Sequence, residues 1–288
     1  MSTSTAASTK YRPPSDMTQI WAVTQVELQR NFRRKRLIAV LAVVIIVCVL
    51  VIGIVPAVGR NYPDQPILGP YNYSQFFLGF VSFLAILIAV FFGGDALVSE
   101  FYSRTGYSIF PNPVKRSSIF LGKVLASLID ALIVLSVFYL IIAGSMAAIY
   151  HTVPAEMAYS FFYAFMYVTA ILGVAYFISS IMKTTTSAMV LTFFLFLFIM
   201  PIVQGVLMFA QVKPEGFLTF EAGLVTGFMQ GPYPESFPTD TKIPTGSPLG
   251  DITVYAPTVV VGTLVILIWM IVTYSLAYYF FRRRDMLG

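Results

Sequence analysis

From Phe76 to Gly93 the sequence reads FFLGFVSFLAILIAVFFG, 18 residues without a single charge. A bilayer core about 30 Å thick is crossed by roughly 20 apolar residues in a helix. Five more runs have this character: Leu37–Val58, Val124–Tyr150, Met157–Met182, Ser187–Ala210 and Pro257–Phe281, of 22, 27, 26, 24 and 25 residues. Hydrophobic residues make up 58% of the 288 and charged residues 11%. A soluble chain is roughly 45–50% apolar and about 25% charged, so one water-facing domain could not hide this much apolar surface. The sequence therefore predicts an all-α integral membrane protein with six transmembrane helices.

Span 3 carries an acid, Asp130. Val124–Ile142 also holds 13 Val, Ile, Leu and Phe residues. At about −0.3 to −0.6 kcal/mol each, they outweigh a central Asp at about +2.5 to +3.5 kcal/mol. With both ends in the cytoplasm, 15 of the 18 Lys and Arg fall on one side, and only Arg60, Lys213 and Lys242 on the other. The positive-inside rule then gives an N-in, C-in topology. The first run has no small-residue cleavage site and reads as an uncleaved span. The net charge of +5 gathers at membrane edges, so no nucleic-acid partner is implied. The single cysteine, Cys48, excludes an internal disulfide, and one histidine, His151, makes no metal site.

Between the spans, the longest piece is Gln211–Ala256, with 46 residues. Pieces of about 40 residues rarely fold alone, so no soluble ATPase domain is present. The only Gly-Lys, Gly122-Lys123, is followed by Val124 and makes no phosphate-binding loop. ATP and Mg, if used, are bound by another chain.

Residues 1–15 read as a disordered tail and residues 16–36 as an amphipathic connecting helix, with Asp16 as N-cap. Ile20, Met17, Leu28, Trp21 and Phe32 share about a third of its circumference. It enters the membrane at Arg33-Arg34-Lys35-Arg36. The six-span domain fills 37–288. The outer loop 211–256 has six Pro, six Gly and a charge of −3. Within it Phe217–Met229 is apolar but too short to span, which predicts a segment dipping into the membrane.

The loop between spans 2 and 3 reads GDALVSEFYSRTGYSIFPNPVKRSSIFLGK. It carries more large apolar groups than bare water favours, and so predicts contact with lipid or a partner. Asp95, Glu100, Thr105, Pro113-Val114-Lys115-Arg116 and Ile119-Phe120-Leu121-Gly122-Lys123 together resemble the pattern of ABC-2-type transporter permeases. Arg104 stands where that family usually has Gly, and Phe101-Tyr102-Ser103 replaces its usual charged cluster.

The resemblance implies a homodimer, or a heterodimer with a second permease, docked on ABC ATP-binding subunits in the plasma or inner membrane. The loop would hold a coupling helix, with Asp95, Glu100, Phe101, Tyr102, Thr105, Tyr107, Pro113 and Arg116 as its coupling residues. Most relatives export, along a path between the halves beside spans 2 and 5. The chain itself would not be an enzyme. Intramembrane polar groups mark candidate pathway or gating residues: Asp130, Pro201 (also a kink site) and Gln204. A secondary transporter, a channel or a scaffold subunit is the rival reading. Carriers of that kind use paired midplane charges or internal repeats, and here Asp130 stands alone.

Overall fold

The computed structural model describes residues 15–61, 69–102, 115–243 and 252–284. Helix α1, Asp16–Arg33, precedes the bundle. Six helices long and apolar enough to cross a membrane follow. Span 1 is α2, Arg36–Asn61. Span 2 is broken into α3 (Pro70–Leu78), α4 (Val81–Ile88) and a π-helical turn (Ala89–Gly93), and it leads into α5 (Val98–Tyr102). Span 3 is α6, Arg116–Tyr150, and span 4 is α7, Glu156–Ile181. Span 5 is α8 (Thr185–Phe194), a π-helical turn (Leu195–Ile199) and α9 (Met200–Phe209). Span 6 is α12, Val259–Arg283. Between spans 5 and 6 lie α10 (Leu218–Glu221), α11 (Gly223–Gly227) and an antiparallel ribbon. Its strands are β1 (Thr241–Ile243) and β2 (Ile252–Val254), with Lys242 opposite Thr253.

The sequence put the N-cap of α1 at Asp16. The cap is Ser15, whose hydroxyl accepts the Thr18 N–H at 3.3 Å. Asp16 instead lies in the first turn, where a negative charge suits the helix dipole. The joint between α1 and span 1 is equally local. Lys35 takes a φ of 56°, a left-handed turn that costs a side-chain-bearing residue about 1–2 kcal/mol. It lets the chain turn a corner within two residues.

Span 4 is the centre of the bundle: 67% of its apolar window is buried, against 28% for span 1, 11% for span 5 and 17% for span 6. Span 6 approaches it at Gly173, where an added Cβ would strike the Thr273 hydroxyl. Small residues permit such approach where both neighbours are apolar and only packing holds helices together. Tyr274 then donates to the Thr169 carbonyl at 3.2 Å, and the Tyr163 and Thr263 hydroxyls meet at 3.0 Å. Span 5 contains a π-helical turn just before Pro201. Proline lacks the N–H that would continue the α ladder, and a widened turn absorbs that loss.

Two parts of the outer loop are ordered. The stretch around Lys242 forms the ribbon. The short apolar run folds back into the bundle: the Ser160 hydroxyl donates to the Val225 carbonyl at 2.8 Å, and Gln75 to the Met229 carbonyl at 3.2 Å.

Candidate functional site

The end of the bundle that holds α1, α5 and the two ends of spans 3 and 6 is its basic end. There α1 lies across span 3 with its polar face inward. Gln19, Thr24, Glu27 and Asn31 are buried, while Met17, Trp21 and Phe32 are exposed. The helix can seat so closely because residue 122 is glycine. A Cβ at Gly122 would stand 2.7 Å from Val23 Cβ and 2.8 Å from the Ile20 carbonyl. Thr24 uses the opening to donate to the Gly122 carbonyl at 3.1 Å.

One residue on, Lys123 places its ammonium 2.5 Å from Glu27 and 2.7 Å from Glu100. Arg30 also pairs with Glu27, and it reaches Glu100 at 3.4 Å. Two acids and Lys123 are thus enclosed together, with the partly exposed Arg30 at their edge, and each sign compensates the other, which is the condition for burying charge. Beside them Arg36 grips both oxygens of Asp95, at 2.7 and 2.6 Å. This two-pronged geometry is what guanidinium and carboxylate favour. Three segments distant in sequence are therefore fastened at one place: α1, the end of span 2 with α5, and the start of span 3.

The backbone of the loop is fixed from below. The Ser179 hydroxyl accepts the N–H groups of Leu97 and Val98, each at 3.1 Å. Ala96 and Leu97 pack with Ile119, Phe120, Tyr176, Ala277 and Phe281 in a small apolar core of their own. Arg116 turns to span 6 and donates to the carbonyls of Arg282 and Arg284 at 2.8 and 3.3 Å. A cation there satisfies carbonyls that a helix end leaves open.

Asp95 and Glu100 are buried inside this assembly and Arg116 is turned toward span 6, so these three expected coupling residues tie the loop to the spans. Phe101 and Tyr102 end α5. Thr105, Tyr107 and Pro113, like the tail up to residue 14, lie outside the described residues.

The candidate pathway residues lie on two different spans. Asp130 is 1% exposed and accepts from Asn31 of α1 at 2.6 Å. Its other oxygen has no hydrogen-bond partner. Pro201 and Gln204 sit far from it along the chain, on α9, which buries none of its residues. Gln204 reaches only Met208 Sδ, at 3.9 Å.

Sequence reasoning gave Glu27, Arg30 and Asn31 no role, and it named Arg36 and Lys123 only as a basic entry to span 1 and the end of the loop motif, not as ion-pair partners. The signal for the helix was present: Thr24, Glu27 and Asn31 recur at i, i+3 and i+7, a second stripe beside the apolar one.

It also passed over Glu221, in the outer segment. That carboxyl is 1% exposed and neither oxygen has a hydrogen-bond partner. Gly262 of span 6 lies against it, where any Cβ would collide with Oε2. Burial pushes its pKa up to about 8, with Glu215 adding to the shift and Lys213 opposing it.

Six helices long and apolar enough to cross a membrane, counted among the described residues, define an integral membrane protein. The family model of the ABC-2 type transporter matches residues 18–218, and the chain belongs to that family. The match begins within α1 and ends at the first residue of α10, so it contains the whole ion-paired assembly. A search of curated proteins found no match.

Proposed function

We propose that this permease is the membrane half of an ATP-driven exporter of the plasma or inner membrane. It works as a dimer, with itself or a second permease, on separate ATP-binding subunits that carry the ATP and Mg. The basic end faces the cytoplasm, and the loop between spans 2 and 3 is the dock. The observation that supports this best is the buried set of ion pairs joining α5 to α1 and span 3. A loop whose only task was to turn the chain would need no such fastening.

The roles divide accordingly. Phe101, Tyr102, Thr105, Tyr107 and Pro113 form the contact surface. Asp95, Glu100 and Arg116 pass its displacement to the spans, joined in this by Lys123 and Arg36. Asp130 holds α1 through Asn31. Pro201 and Gln204 line span 5 where it faces the path between the two halves.

Gentle solubilisation of the tagged full chain from its native membrane, followed by quantitative mass spectrometry, tests the dock. A stoichiometric chain with a phosphate-binding Gly-Lys loop is the expected companion. Phe101→Ala with Tyr107→Ala removes it. The paired change Glu100→Gln with Lys123→Met keeps the companion but abolishes the ATP-driven change in spin-label distances between spans. Absence of any ATP-binding companion, in mild detergent and in nanodiscs, overturns the reading.

A further inference from the structure

A cleft of about 660 Å³ opens beside the ion-paired assembly, between α1, the start of span 1 and span 3. Its walls are largely apolar, formed by Leu28, Phe32, Leu37 and Ile133, with Gln29 beside them. Two charged residues line it as well, Arg33 and Asp130. Arg33 is exposed and makes no ion pair among the described residues. Asp130 is its opposite: buried, held by Asn31 through one oxygen, and left without a partner at Oδ1. An enclosed carboxylate oxygen with nothing to accept from is costly, and native structures seldom keep one without a use.

The cleft thus offers an apolar wall, an exposed cation and an enclosed acceptor within one space. The occupant that matches all three has an acyl chain, an anionic group and, a few bonds away, a small cationic donor. We propose that this cleft binds one aminophospholipid of the adjoining leaflet. Its ammonium donates to Asp130 Oδ1, its phosphate faces Arg33 and an acyl chain lies along Leu37 and Ile133. A primary ammonium has three N–H donors, whereas a choline head has none. An anionic headgroup without an amine would satisfy Arg33 but leave Asp130 unpaired. The site is separate from the transported cargo, and the inference stands or falls independently of the exporter reading.

Native mass spectrometry of the purified full chain, with equal amounts of each lipid added, provides the test. Phosphatidylethanolamine is expected to be retained about tenfold over phosphatidylcholine, the size of one charge-assisted hydrogen bond. In an N-methylated series on the unaltered protein, retention holds through the dimethyl lipid and drops at the trimethyl step, where the last N–H is lost. Asp130→Leu, which removes the acceptor, brings the ethanolamine lipid down to the choline level, and Asp130→Asn, which keeps an acceptor without its charge, brings it part of the way. Arg33→Ala weakens both alike, and Ile133→Trp fills the cleft and displaces both. Equal retention of the two lipids by the unaltered protein overturns the proposal. So does a smooth decline along the methylation series, or an Ile133→Trp variant that changes the copy number of the chain instead of its lipid count. That last outcome would assign the groove to a second copy.

Discussion

The molecule buries carboxylates at both ends, and it treats them differently. At the basic end Glu27 and Glu100 share Lys123 and Arg30, and Asp95 is gripped by Arg36. At the outer end Glu221 is as deeply enclosed but has no partner. A charge removed from water must be neutralised by something. In the first case it is another side chain. In the second it is a proton, as the upward shift of Glu221 to about 8 indicates. Side-chain compensation fastens one segment to another, whereas proton compensation lasts only while the proton stays. The basic end is accordingly built as a joint, and the outer segment closes on Gly262 with a carboxyl that burial makes harder to ionise.

The sharpest way to break this contrast is Lys123→Met. It leaves Glu27 and Glu100 enclosed with only the half-exposed Arg30 between them. Loss of one partner from a buried pair costs about 3–5 kcal/mol, read as a large drop in the unfolding temperature of the solubilised protein. Adding Glu100→Gln to that variant should recover part of the loss. Next in size is Gly262→Ala at the outer end. The new methyl collides with Glu221 and comes within 2.7 Å of Leu224. Overpacking of this kind costs about 1–3 kcal/mol, and hydrogen exchange at residues 218–227 should rise.

Glu221→Gln sharpens the contrast through pH. The folded pKa lies near 8, above the ordinary 4.5, so the folded state holds the proton more tightly than the unfolded one. Stability from this group is therefore complete below about pH 4.5 and is lost as pH rises through 8. The slope approaches about 1.4 kcal/mol per pH unit between those values. The variant should match the parent near pH 4 and exceed it at pH 9; a parent without this slope would refute the proton-compensated reading. The smallest effect belongs to Lys115→Ala. Its pair with Asp16, at 2.7 Å, is exposed on both sides, and such pairs contribute about 0–1 kcal/mol. An unfolding shift rivalling that of Lys123→Met would show that burial is not what separates the two kinds of pair.

The six spans were legible because hydrophobic length is a property of the chain itself. Their limits were less so. The helix of span 3 starts at Arg116, ahead of the apolar run that begins at Val124, since a helix runs on through polar residues when another helix covers them, as α1 does here. The loop motif was legible as a pattern, but not the reason for its last two residues. Gly122 is where α1 crosses, and Lys123 is the cation at the centre of the ion pairs. Neither role can be read without knowing that α1 folds back on span 3, about a hundred residues away in sequence. Glu221 was hidden for a related reason: within FLTFEAGLVTGFM one acid among apolar neighbours looks like a solubilising charge until the segment is seen packed against Gly262.

Span 5 has a thermodynamic consequence. Only 11% of its apolar window is buried by the chain's own residues, and α9 buries none. Its position owes little to internal packing, so whatever lies along that face helps to set the energy of the folded state. A neighbour that binds the folded chain and not the unfolded one stabilises it in proportion to the logarithm of its concentration. The unfolding temperature of this protein should therefore depend on lipid, detergent and protein concentration, and shift along with anything that covers span 5.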